Sequence, residues 1–130
     1  MAQIEVALKE AMEIPGAIGV ALVDYDSGMM LGSAGGSAEL DLEVAGAGNT
    51  EVVRAKMATM RSLGLNDQIE DILITLGTQY HLIRLVSSPK GGGLFFYLAL
   101  SKTQSNLAMA RRQLQAIEAE PVLSGDRHGR

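Results

Sequence analysis

The stretch Ile14-Pro15-Gly16-Ala17-Ile18-Gly19-Val20-Ala21-Leu22-Val23-Asp24-Tyr25-Asp26-Ser27-Gly28-Met29-Met30-Leu31 decides how the rest of the chain is read. Pro15 and Gly16 break a preceding helix. Ala17 to Val23 carries no polar side chain. Successive strand residues point to opposite faces, so such a run has to be covered on both sides. It therefore belongs near the centre of a sheet sandwiched between helices. Asp24 to Gly28 suits a hairpin of the longer kind, in which Asp and Ser side chains bond the backbone and Gly28 takes a positive φ. Met29 onward is then a second strand.

Upstream, Ile4, Leu8, Ala11 and Met12 have the spacing of an amphipathic helix over residues 2–12. Downstream, Gly32-Ser33-Ala34-Gly35-Gly36-Ser37 reads as a loop, and Ser37 or Ala38 is expected to open a long helix that ends near Arg61, before Gly64. Gly46, Gly48 and Asn49 lie inside it, so either the helix breaks there or small residues admit another backbone. Leu42, Ala45, Asn49, Val52 and Lys56 follow one stripe, and Val53, Met57 and Met60 a neighbouring one. That is more apolar surface than one buried face requires.

Ile69–Leu76 reads as a β-branched strand, Gly77-Thr78-Gln79 as a turn and Tyr80–Val86 as the returning strand. Ser88-Pro89-Lys90-Gly91-Gly92-Gly93 reads as a flexible connection to a fifth strand, Leu94–Leu100, again apolar on both faces. Short links between these three strands argue for an antiparallel meander. Ser101-Lys102-Thr103-Gln104 matches a capping box, and Leu107, Ala110, Leu114 and Ile117 give the stripe of a last helix that must stop near Glu120, ahead of Pro121. The expected fold is α+β: a five-stranded antiparallel sheet covered by helices on both faces, in the order α-β-β-α-β-β-β-α. Residues 1–120 form its single domain, and 121–130 a flexible tail.

With 130 residues, 47% of them apolar and 20% charged, the chain can build one ordinary core without staples. Cysteine is absent, which removes disulfides, thiolate metal sites and thiol nucleophiles. The net charge is −4 with scattered basic residues, and two Phe, three Tyr and no Trp offer few stacking platforms, so nucleic acid is not an expected partner. The N-terminus lacks the pattern of a signal peptide and no run is long enough to span a bilayer, so a cytoplasmic location without membrane insertion is expected.

Catalytic constellations are missing. Lys90 and its glycines are in the wrong order for a phosphate-binding loop, and Ser27-Gly28 lacks the first glycine of a nucleophile elbow. His81 and His128 have no ligand cluster around them in sequence, and His81 reads as a structural or partly exposed strand residue. No enzymatic activity, cofactor or metal is expected.

The element order, together with Ile14-Pro15-Gly16-Ala17-Ile18-Gly19-Val20 and the hairpin through Gly28, resembles the Roadblock / dynein light-chain family over about residues 3 to 119. That family's hairpin follows an I-P-G-(x)-x-G-x-x-L-V-D-x-D-G type pattern, from which this chain departs by the extra Ser27. The glycine pair in the long helix is a second departure. The resemblance implies a profilin-like fold, dimerisation, and a non-catalytic role as scaffold or regulator of a small Ras-like GTPase or of a motor or polarity complex.

In the family's sheet order the third strand is an edge. A β-branched edge strand whose only charges are Glu70 and Asp71 is hazardous unless paired. A homodimer is therefore expected through Ile69, Asp71, Ile72, Leu73 and Ile74, with Val52, Val53, Met57 and Met60 covered across the two-fold axis. The expected partner surface is Glu51, Arg54, Lys56 and Arg61, of mixed charge around the methionines. The competing reading is a small-molecule sensor of profilin-like fold, which would need polar groups inside a pocket where the sequence supplies mostly apolar ones.

Overall fold

A computed structural model describes residues 2–86 and 93–119. The first helix, α1 (Ala2–Met12), buries Ile4, Ala7, Leu8 and Ala11, one stripe at helical spacing. It ends as the sequence indicates, and Gly16 then passes so close to the connection at residues 102–106 that a Cβ there would lie 2.6 Å from Cβ of Ser105. The Gly16 carbonyl accepts from the Ser101 N–H at 2.8 Å, which ties the start of the chain to the end of the sheet.

β1 (Ala17–Asp24) and β2 (Met29–Gly35) form the first hairpin. Its turn is held as expected. The Asp26 N–H donates to Asp24 Oδ1 at 2.9 Å, the Met29 N–H to Ser27 Oγ at 3.2 Å, and Gly28 has φ +80°. β2 continues through residues that composition assigns to a loop, because a register shift opposite Leu22 and Val23 lets the small residues Gly32 and Ala34 pair onward.

The long helix α2 (Leu42–Ser62) therefore starts later than Ser37 or Ala38. Ser37 instead closes a tight turn, accepting from the Glu39 and Leu40 N–H groups, and Asp41 is the N-cap, accepting from Glu43 and Val44 at 3.0 and 3.3 Å. The helix is unbroken. Gly46 is buried, and a Cβ there would lie 3.2 Å from Cγ2 of Val23, so close approach to β1 explains it; Gly48 faces open space.

β3 (Asp71–Thr75), β4 (Gln79–Leu85) and β5 (Leu94–Ser101) form the meander. β3 is shorter than Ile69–Leu76. The expected capping box is not one: Ser101 ends β5, and the N-cap of α3 (Leu107–Glu118) is Asn106, whose Oδ1 accepts from the Met109 N–H at 3.0 Å. The connection at 88–92 and the tail 121–130 lie outside the described residues.

The sheet is antiparallel throughout, ordered β2-β1-β5-β4-β3. β1 and β5 are central and buried on both faces. On one face Val20, Leu22, Leu82, Phe96 and Leu98 meet α1 and α3; on the other Ala21, Val23, Ile83, Phe95 and Tyr97 meet Leu42 and Val53 of α2. The two terminal helices touch each other on their shared face. Arg84 of β4 and Glu118 of α3 form a buried ion pair at 3.0 Å, and Asp71 of β3 takes two hydrogen bonds from Arg111 of α3 at 3.0 and 2.8 Å.

Candidate interaction surface

The helices do not cover the sheet evenly. α2 rests on β1 and β2, so its side of β3 and the start of β4 is left partly open. Ile72, Ile74, Gln79 and His81 all stand partly exposed there. Ile72 and Ile74 belong to this face because they alternate with Leu73, which packs on the α1/α3 side. β3 is an edge, as its place in the sheet order requires, and its outer side has no partner strand among the described residues.

Each residue turns a helix by about 100°, so the stripes of α2 can be assigned to directions. Met57, Met60 and Arg61 line an open cleft of about 890 Å³ together with Ile69, Glu70 and Arg84, which fixes the flank of α2 that looks toward β3 and β4. Arg54, Met57 and Arg61 share that flank at i, i+3 and i+7. Val52 and Lys56 are on the opposite flank, above β2, and Glu51 points outward; all three are exposed. Val53 is fully buried in the chain's own core and has no surface to offer a second chain.

The residues singled out from the sequence are thus sorted by the fold. Met57, Met60, Arg61 and Ile69 line the cleft, Arg54 is on the same flank of α2, and Ile72 and Ile74 are partly exposed on the α2 side of β3. Val52 and Lys56 are on the opposite flank. Leu73 packs into the α1/α3 core, and Asp71 spends its carboxylate on Arg111. Sequence reasoning missed the polar members of this face. Gln79, His81 and Tyr97 form one hydrogen-bonded group, and the signal available was the period of two along β4, which puts Gln79 and His81 on the side of Ile83.

Burial lowers the His81 pKa below its ordinary 6.5, since a charged imidazole is costly to desolvate, and pushes Tyr97 up to about 12 for the same reason. Among the described residues, no group of three or more His, Asp or Glu side chains is placed to hold a metal ion, and no helix is long and apolar enough to cross a membrane.

This architecture is the profilin-like α+β fold of Roadblock/LC7 domains. The Roadblock/LC7 domain from Streptomyces avermitilis superposes with a TM-score of 0.70 at 10% identity, over 85% of this chain and 86% of that one. MglB of Myxococcus xanthus gives 0.78 at 15% identity, over 90% and 83%. The gliding protein MglB of Thermus thermophilus gives 0.76 at 14% identity, over 95% and 87%. No family model matches the sequence, and no curated protein matches it.

Proposed function

We propose that this chain is a non-catalytic interaction module that pairs with a second copy through β3 and acts as scaffold or regulator of a small Ras-like GTPase or of a motor or polarity complex. The observation that carries the reading is the uneven cover of the sheet. An edge strand and the partly exposed, apolar Ile72 and Ile74 on it form one region that no other strand of the chain's described residues covers. Continuing the sheet into a second copy pairs the edge and covers the apolar side chains in one step. The likeness to a gliding protein supports a role in such a system.

Regulation of a nucleotide cycle needs no reactive group on this chain. A module that binds one nucleotide state of a GTPase more tightly shifts its population by the difference in affinity. Arg54 and Arg61 are exposed and on one flank, suited to an acidic partner surface. The test is titration of small Ras-like GTPases from the same cells, loaded with GTP or with GDP, against wild type and the Arg54→Glu, Arg61→Glu double variant. Preferential binding of one state, weakened at least about tenfold in the variant, is expected, since each 1.4 kcal/mol is a factor of ten. Equal affinity for the two states removes the regulatory role, and unchanged affinity in the variant moves the site off this flank.

A further inference from the structure

The open face of the sheet is apolar except at one point. His81 Nε2 lies 2.8 Å from Gln79 Oε1, and His81 Nδ1 lies 3.1 Å from the Tyr97 hydroxyl. The two rings meet edge to face, with centroids 5.3 Å apart at 85°. In strand register His81 is directly opposite Ile74 of the edge strand. It is therefore one strand in from the proposed seam, on the side of the sheet that a second copy would have to cover.

The group is balanced for a neutral imidazole, which has one donor and one acceptor. Nε2–H donates to Gln79 Oε1, and Nδ1 accepts from the Tyr97 O–H. That hydroxyl keeps its proton, with a pKa pushed up to about 12. A proton on Nδ1 would turn the acceptor into a second donor, and the Tyr97 O–H would lose the group it donates to. A buried donor left without an acceptor is costly, and more so once water is excluded.

The surroundings do nothing to soften that charge. β3 contributes Ile72 and Ile74 to this face, and β5 contributes Tyr97 and Ala99, while Arg61 of α2 lines the cleft at the other end of these strands with Asp67 and Glu70. Asp71 and Glu118 are engaged with Arg111 and Arg84 on the opposite face, Glu51 points outward from α2, and Glu70 lies beyond the other end of β3.

We infer that His81 is a proton-operated control on self-association: the neutral ring lets a second copy close over this face, and the charged ring opposes it. The inference rests on the self-association reading above. Burial already lowers the His81 pKa, and the further burial in a pair lowers it again. The separated chains then bind more protons than the pair, so association has full strength above the separated chain's lowered His81 midpoint, itself below the ordinary 6.5, and weakens as pH falls through that midpoint.

The test is sedimentation equilibrium over a concentration series from about pH 8 to about pH 5, spanning the ordinary His range and the region just below it where a lowered midpoint falls. Far-ultraviolet circular dichroism checks the fold at each pH. The dissociation constant of the wild type is expected to rise by at least about tenfold on acidification, one factor of ten for each pKa unit of difference per copy. His81→Gln, polar and unable to titrate, is expected to flatten the response, and His128→Gln, at the only other histidine, to keep it. A wild-type constant that ignores pH, or a full response in His81→Gln, overturns the inference. A chain that stays monomeric at every pH and concentration overturns the self-association reading, and the control with it. Should His81→Gln not fold, the wild-type imidazole resonances decide: the His81 midpoint should be lower at high protein concentration than at low, and equal midpoints refute the role.

Discussion

Replacing Glu118 by Gln is expected to cost about 3–5 kcal/mol, because it strips the countercharge from a buried cation. Glu118 is 1% exposed and Arg84 8%, and their contact at 3.0 Å joins α3 to β4 across the α1/α3 face. Neither group can turn to water without opening the helix–sheet seam. For a domain of ordinary stability, about 5–15 kcal/mol, the loss is a large fraction of the total. It corresponds to a fall in melting temperature of roughly 10–20 °C. Urea unfolding at one protein concentration measures it, and Arg84→Met should cost a similar amount. The double variant Arg84→Met, Glu118→Leu is the informative control. It removes both charges of the pair, so it should be clearly more stable than either single change. A Glu118→Gln protein within about 1 kcal/mol of wild type, or a double variant as poor as the two singles combined, would refute the reasoning.

Gly48→Ala should stabilise by about 1 kcal/mol, since a methyl there meets nothing and the helix gains propensity, whereas Gly46→Ala should gain nothing or lose, because its methyl presses on the buried Val23; thermal melts of the pair separate the two cases. Asp41→Ala removes the acceptor for two N–H groups at the start of α2 and should cost about 1 kcal/mol in urea unfolding. Ile74→Lys places a charge on the open face beside the edge and should leave the circular dichroism spectrum unchanged while abolishing the dimer mass in sedimentation; a charged variant that still pairs would move the interface away from β3.

The central strands were legible because Ala17–Val23 and Leu94–Leu100 are apolar on both faces, short, and bounded by Gly, Pro or polar turn residues, which favours a doubly buried strand over a buried helix. The antiparallel meander followed from short links, and the edge position of β3 from the sheet order that the family resemblance implies. Helix starts were less legible. Ser37 and Ser101 look like caps in sequence, but Ser37 was taken by a turn and Ser101 by the last rung of β5, leaving Asp41 and Asn106 to do the capping. The candidate surface was half legible. A helix pattern says which residues share a flank but not which way the flank faces, so Arg54 and Arg61 could not be separated from Val52 and Lys56 until α2 was seen over β1 and β2. The Arg84–Glu118 pair joins residues in distant parts of the chain and leaves no local trace at all.

The pairing of β1 with β5 has a kinetic meaning as well. The first hairpin and the meander each close over a few residues, but the seam between them brings Leu22 opposite Phe96, about seventy residues apart, at a closure cost on the order of 4 kcal/mol. Until that seam zips, each half shows one bare apolar side, and neither central strand has its second neighbour. The slow event in folding is therefore expected to be the joining of the two halves along this seam, with α2 as the tether between them. Lengthening the connection after α2 would slow that meeting while leaving the rate at which the finished sheet comes apart nearly unchanged.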